Sequence, residues 1–424
     1  MTEETLALQA IRKKLVGKTL NYKEIFAIMD AISHERLSPI LTTYFAASGY
    51  SKGFTDDEMF YLTKAMIETG EKLEFKGIVA DKHSIGGVPG TRTTLIVIPI
   101  VAAAGFLIPK SSSRAITTPG GTADDMEVLA PVTFTKEQIY NIVAKTNACI
   151  VWGGSVDIAP ADDELIKVEE PLMFESFDKI LVSIMAKKIA FSSNHIVIDL
   201  PYGAHVKVHN KPDAELLAKK FEFLAKKFNV TLEVYVHEIT QPAGRGVGPL
   251  LECRESLKVL EQNEDRPLDL EEKALTLAGM LLNLCLKDAS KKIQDQVKNE
   301  FGDGMKWASY ILSSGHALKK MREIIKAQGG NSDIISEHLK PGQYSFEVKA
   351  KESAVVKDVN SANVTIIAKI LGAPLQKKSG LYLHKKVGES IKPGDVVLSL
   401  YSESKKNLEE AKDSLLNFPM LSYL

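Results

Sequence analysis

Residues Asp81 to Glu127 read DKHSIGGVPGTRTTLIVIPIVAAAGFLIPKSSSRAITTPGGTADDME. Two polar, glycine-bearing clusters, Lys82 to Thr94 and Ser112 to Thr122, flank an almost wholly apolar run from Leu95 to Pro109. Glycine lets a backbone turn tightly and approach a ligand, and the flanking Lys, Arg, Ser and Thr supply the donors that phosphate recruits. The Ala-rich segment Leu95 to Leu107 predicts a buried helix packed among strands. The pattern therefore reads as two anion-binding loops pinned by one buried element. Composition alone leaves a plainer reading open, that both loops are turns: the chain has 28 Gly, and neither cluster matches the P-loop or the dinucleotide fingerprint.

A length of 424 residues exceeds the range of a single growing core and implies two or three domains. Hydrophobic residues at 45% and charged residues at 25% describe an ordinary globular protein, and a formal charge of -1 gives no reason to expect a nucleic-acid or membrane partner. Cys149, Cys253 and Cys285 are widely spaced, which points to a reducing compartment and away from structural zinc. The N-terminus lacks the apolar core of a signal peptide, and Leu95 to Pro109 is too short for a membrane span. A cytoplasmic protein is expected.

Residues 1 to about 70 carry helical apolar patterns, with Thr55 to Glu58 as a capping box. From Gly77 short β-type runs alternate with longer helical ones. Ile78 to Ala80 reads as a strand that delivers Asp81 to Ser84 at its end, Ala148 to Trp152 and Asn194 to Leu200 as strands, and Pro171 to Lys188 as helix. Such alternation predicts an α/β sheet with ligands at the carboxyl ends of its strands. After about residue 335 the composition shifts to β-type runs, Ser345 to Val348, Val364 to Ile367 and Val396 to Leu400, separated by Gly and Pro.

The motifs Lys82-His83-Ser84-Ile85-Gly86-Gly87, Ser113-Arg114-Ala115-Ile116-Thr117 and Gly120-Gly121-Thr122 resemble those of the thymidine/pyrimidine-nucleoside phosphorylase family, and most closely its archaeal-type AMP phosphorylase branch. The resemblance continues through Ser183 to Lys188, Gln241 to Glu252 and Gly372-Ala373-Pro374, covering nearly the whole chain. It implies a multidomain α/β and α+β protein: a small all-helical domain (1–70 plus 160–192), a large α/β phosphate-binding domain with a mixed central sheet (71–159 plus 193–334), and a C-terminal α+β domain with barrel-sandwich-like strands (335–424). The implied reaction is reversible phosphorolysis of an N-glycosidic bond, with inorganic phosphate as co-substrate, no cofactor, no metal and a homodimeric assembly. That branch usually carries a further N-terminal domain before the helical unit, whereas this chain begins at the helical unit.

Carried over by motif, Lys82, Ser84, Thr94, Ser112 and Thr122 are the expected phosphate-binding set. Gly87, Ser113, Arg114, Ala115, Ile116, Thr117, Thr118, Ser183, Lys187 and Lys207 are the expected nucleotide-binding residues. His83 faces sugar or base, or supports Asp81. Glu175 stands in the position of the branch's acidic proton donor, one methylene longer than the aspartate of the pattern, with Asp178 as a weaker candidate. The arginine of the thymidine-specific branch is replaced by Val168, beside Glu169. Phosphorolysis of nucleoside 5′-monophosphates (AMP, with CMP and UMP as further candidates) to free base and ribose 1,5-bisphosphate is the favoured expectation. A pyrimidine-nucleoside phosphorylase is the alternative. A diphosphate-using phosphoribosyltransferase, with Asp124 and Asp125 as magnesium ligands, is the third. The C-terminal turn Gly388 to Asp395 resembles biotinyl and lipoyl domains, but without a presented modification lysine its use is structural.

Overall fold

Each of the first four helices begins at a side-chain cap. In the computed structural model, which describes residues 2–115, 118–169 and 176–424, these are α1 (Glu3–Leu15), α2 (Tyr22–Ser33), α3 (Pro39–Lys52) and α4 (Asp56–Glu68), capped by Thr2, Asn21, Ser38 and Thr55. Asn21 and Thr55 form capping boxes with Glu24 and Glu58, satisfying backbone donors that a helix start leaves open. Glu58 also accepts Lys14 Nζ at 2.9 Å and Leu20 N at 2.9 Å, so one buried carboxylate ties α1, the α1–α2 turn and α4 together.

β1 (Ala80–Ser84) opens the α/β part, followed by α5 (Thr94–Ala103), β2 (Ile108–Ser112), α6 (Thr122–Met126), α7 (Lys136–Thr146) and β3 (Ala148–Trp152). The strand thus contains Asp81 to Ser84 instead of ending before them, because all five residues of β1 pair with β4. The buried helix α5 also stops short of Leu107. Gly105 turns with φ +93°, and the chain from Ile108 is drawn into parallel pairing with β3. Next come α8 (Pro160–Glu169) and α9 (Phe177–Ala190), whose Ala161, Leu165, Leu181, Val182 and Met185 share one apolar core with α1 to α4.

β4 (His195–Tyr202), α10 (Lys211–Lys227) and β5 (Thr231–Glu238) complete the sheet. β1 pairs with β4 and β4 with β5; β2 pairs with β3, and the two groups join where Val79 bridges Leu107. Every one of these pairings is parallel, so the sheet order is β3–β2–β1–β4–β5 and the expected mixed character is not seen among the described strands. One face packs on α5, on α11 (Pro249–Leu260), which follows the short β6 (Gly246–Val247), and on α12 (Leu268–Asp288). The same core takes in α14 (Gly304–Ser313) and α15 (His316–Ala327), with α13 (Lys291–Glu300) at its side. All five strands point their carboxyl ends to one edge, where Ser84, Ser112 and the turn after Tyr202 lie.

The C-terminal part builds two antiparallel sheets. One has the order β6–β9–β11–β7, from β7 (Tyr344–Lys349), β9 (Gly380–Leu383) and β11 (Val396–Ser402). The other has the order β10–β8–β12, from β8 (Ala354–Val359), β10 (Ser390–Ile391) and β12 (Leu421–Tyr423). Val364 to Ile367, expected as a strand, lies in α16 (Ser361–Ile370). Asn360 caps its start, and Val364, Ile367 and Ala368 are buried at helical spacing, so tertiary burial overrides their β-branched preference. α17 (Lys405–Ser414) covers the first sheet. The three cysteines are free and buried.

Glu58→Gln keeps the shape of the side chain but leaves the Lys14 ammonium buried without its counter-charge. A loss of about 3 kcal/mol in unfolding free energy is expected, read from urea denaturation of the variant against the parent protein.

Candidate active site

Strand geometry sorts the decisive tetrapeptide. Side chains alternate along β1, so Lys82 and Ser84 share one face and Asp81 and His83 the other. On the first face Lys82, 1% exposed, donates from Nζ to Ser84 Oγ, to Thr93 Oγ1 at 2.7 Å and to Thr94 Oγ1 at 3.4 Å. Thr93 and Thr94 form the N-terminus of α5, whose first backbone N–H groups and dipole favour an anion there. Burial pulls the Lys82 ammonium down to about 7; the Asp199 carboxylate opposes that, and Lys273 and Arg92 add to it. Ser84 Oγ donates in turn to Asp199 Oδ2 at 2.6 Å, and Asp199 Oδ1 lies 2.8 Å from His237 Nε2 and 3.3 Å from Lys273 Nζ.

On the second face Asp81 pairs with Lys110 at 2.9 Å and with Lys188 at 2.7 Å, all three buried. Lys110 comes from β2 and Lys188 from α9, so one aspartate joins the sheet to the helical bundle. His83 is not among the partners of Asp81. Burial and the surrounding Lys188, Lys110, Lys82 and Lys187 hold its imidazole well below the ordinary value, hence neutral at physiological pH. Beside it, α9 presents Ser183 and Lys187 one turn apart. Ser183 Oγ donates to Asp162 Oδ2 at 2.6 Å, and Lys187 lies 2.8 Å from the same oxygen and 3.2 Å from Asp163.

The second loop is built around Arg92. Its guanidinium pairs with Asp125 and with Glu252 at 3.1 Å, and donates to Gly120 O at 2.6 Å and Thr122 Oγ1 at 3.3 Å. Burial pushes Asp125 well above its ordinary value even with Arg92 at its side. Asp124 closes the loop by accepting Ala115 N at 2.7 Å and Gly121 N at 3.0 Å. A Cβ on Gly121 would lie 2.6 Å from the backbone of Ser113 and Arg114, so only glycine allows this close approach. Lys377 of the C-terminal part reaches in to Asp124 at 2.7 Å and Glu127 at 3.0 Å. Arg114 forms a two-pronged pair with Glu127, both bonds 2.7 Å, against the Trp152 ring.

Residues 8–70 match the helical bundle domain of a glycosyl transferase family, residues 76–318 its a/b domain, and residues 355–418 the pyrimidine nucleoside phosphorylase C-terminal domain. The chain belongs to this glycosyl transferase family. Among its relatives are proteins named AMP phosphorylase: from Methanospirillum hungatei, 42% identical over 97% of this chain and 78% of that protein; from Thermofilum pendens, 42% over 96% and 76%; and from Methanosarcina barkeri, 43% over 95% and 77%. The crystal structure of anthranilate phosphoribosyltransferase from Thermus thermophilus superposes with a TM-score of 0.61 over 75% of this chain and 99% of that one. At 16% identity that likeness speaks for the fold alone.

Within this family member, Lys82, Ser84 and Thr94 form one hydrogen-bonded group. Ser112, at the end of β2, donates to Val151 O at 3.1 Å, and Thr122 is held by Arg92. Gly87 turns with φ +60°, and Lys207 N donates to Gly86 O at 3.2 Å, bringing the loop after β4 onto the Gly86-Gly87 turn. Ser113 O receives Ala123 N at 3.4 Å, and Thr118 Oγ1 donates to Gly120 O. Ile116, Thr117 and Glu175 lie outside the described residues. Asp178 accepts Phe54 N at 3.2 Å and pairs with Lys220, a tie between helices. Asp124 and Asp125 are engaged by the loop, Lys377 and Arg92. Val168 packs against the helical core.

Sequence reasoning missed Arg92, Asp162, Lys188, Asp199, His237, Lys273 and Lys377. A signal existed for Asp199, the lone acid in the apolar strand run Ile196 to Leu200, and for Lys188, the neighbour of Lys187. The others are far in sequence from what they hold.

Lys82 keeps its proton to near 10.5 in the unfolded chain but only to about 7 when folded. Between those values the unfolded chain binds more protons, so this group makes stability rise with pH, by about 1.4 kcal/mol per unit. The unfolding free energy of the parent minus that of Lys82→Met should climb from pH 7 to pH 10 in denaturant titrations. A flat difference would show that the ammonium stays charged.

Proposed function

We propose that this protein catalyses reversible phosphorolysis of nucleoside 5′-monophosphates, AMP foremost, to free base and ribose 1,5-bisphosphate, with inorganic phosphate as co-substrate and no cofactor. The observation that carries this reading is the coincidence of two facts. Relatives named AMP phosphorylase match 95–97% of the chain at 42–43% identity, and the carboxyl edge of its sheet gathers buried lysines, threonines and a helix N-terminus around β1.

In this reading Lys82, Ser84, Thr94, Ser112 and Thr122 hold phosphate in line with C1′. A phosphate oxygen forms the new C–O bond as the C1′–N bond breaks, and the electron pair leaves with the base. Positioning and preorganised charge supply the acceleration. Glu175, as the neutral acid, gives its proton to the purine ring nitrogen, so the base departs uncharged. Ser183 and Lys187 face the base, and Arg114 and Lys207 the 5′-phosphate. Arg114 must then exchange part of its pairing with Glu127 for the nucleotide, and the guanidinium–phosphate geometry suits that exchange. His83, neutral, faces the sugar without adding charge.

We also infer a homodimer. Val16 at the end of α1 and Ile40 and Tyr44 on α3 are exposed apolar side chains on neighbouring helices, and a second copy would cover them. No helix among the described residues is long and apolar enough to cross a membrane.

Purified protein given phosphate with AMP, CMP, UMP, adenosine, uridine or thymidine should release base from the monophosphates. Release from nucleosides alone would replace this reading with nucleoside phosphorolysis. Glu175→Gln should slow adenine release about 100-fold or more while phosphate affinity is kept, and an unchanged rate would remove Glu175 as the acid. Ile40→Glu should shift the sedimentation coefficient from dimer toward monomer.

A further inference from the structure

A hydrogen bond has a direction, and at Ser84 the surroundings fix it. Asp199 is 1% exposed, and its carboxylate oxygens have protein partners: His237 Nε2 and Lys273 Nζ on Oδ1, Ser84 Oγ on Oδ2. Burial alone would raise this acid. The bonds from His237 and Ser84 and the charges of Lys273 and Lys82 outweigh it and hold the carboxyl well below its usual range. An ionised carboxylate only accepts. The Ser84 hydroxyl proton therefore lies on the 2.6 Å line to Asp199, while Lys82 Nζ donates to the same Oγ from the other side. Ser84 Oγ is left with one lone pair and no hydrogen to give. Toward solvent, where the Ser84 side chain is exposed, it can only accept.

We infer that Asp199 holds Ser84 as an acceptor and so makes the phosphate site select a protonated tetrahedral oxyanion over an unprotonated one. Hydrogenphosphate and hydrogenarsenate carry one O–H at neutral pH and can donate it to Ser84; sulfate carries none. A sulfate oxygen at the same position either faces a lone pair or turns the serine proton away from Asp199, leaving a buried carboxylate oxygen unpaired. A penalty of that kind weakens binding on the order of tenfold to a hundredfold. Asp199, with Lys273 and His237 behind it, is thus a positioning residue that acts through Ser84. The inference rests on reading Ser84 as part of the phosphate site.

Calorimetric titration of the full chain with phosphate, arsenate and sulfate at neutral pH tests it. The parent protein should bind phosphate and arsenate comparably and sulfate at least tenfold more weakly. In Asp199→Asn the amide oxygen must turn toward Lys273, which only donates. The amide N–H then faces Ser84, whose proton is freed toward the ligand, and the preference for phosphate should fall to within about threefold. Ser84→Ala should erase the preference through loss of the acceptor and decides the matter if Asp199→Asn does not fold. Sulfate binding as tightly as phosphate in the parent, or a preference unchanged in Ser84→Ala, overturns the inference. Binding of none of the three anions would remove the phosphate-site reading itself.

Discussion

The parallel pairing of β1 with β4 is the constraint on which the rest depends. It keeps Asp81 to Ser84 extended, and an extended strand sends alternate side chains to opposite faces. A helix or a loose loop would spread the same four residues round one turn. As a strand, the tetrapeptide builds two polar systems back to back: Asp81 with Lys110 and Lys188 on one side, Lys82 and Ser84 with Thr93, Thr94 and Asp199 on the other. The first system is a structural tie between sheet and helical bundle. The second is the group to which the proposed function assigns phosphate.

Charge balance explains why these faces behave differently. Asp81 has two lysines at hydrogen-bonding distance, so its own ionisation is favoured while Lys110 is pulled well below its ordinary value by burial and by Lys188. Beyond its hydroxyl partners, Lys82 has Asp199 and, more weakly, Asp81 to favour its charge, and burial together with Lys273 and Arg92 outweighs them. In the proposed function a phosphate dianion at the α5 N-terminus would add the negative charge that Lys82 lacks. In that reading the ligand would offset the cost of burying the Lys82 charge.

The second loop shows the opposite solution. Arg92 is shared by Asp125 and Glu252, and Lys377 with Arg114 answers Asp124 and Glu127. These residues come from the α5 approach, α6, α11 and the C-terminal part, so the loop that carries Thr122 is braced from four directions. The C-terminal part is fastened to this end of the molecule by β6–β9 pairing and by Lys386, which donates to Ala243 O at 3.0 Å. Its role in the candidate site is to keep Lys377 in reach of Asp124.

Local sequence by itself determined the capped helices, the alternation of strand and helix from Gly77, the two polar clusters, and through their motifs the family. Those features depend on neighbours within a few residues: a Thr three before a Glu, a β-branched run, a glycine that alone tolerates a turn. Only the tertiary structure decided where β1 begins, that Val364 to Ile367 is helix, and which partners Arg92, Asp199, Lys188 and Lys377 hold at the candidate site. Lys377 lies some 250 residues from Asp124 in sequence but 2.7 Å away in space, and no local pattern encodes such a pair. Buried charges are placed by whatever partner the fold brings to them, and that partner exists only once the chain is packed.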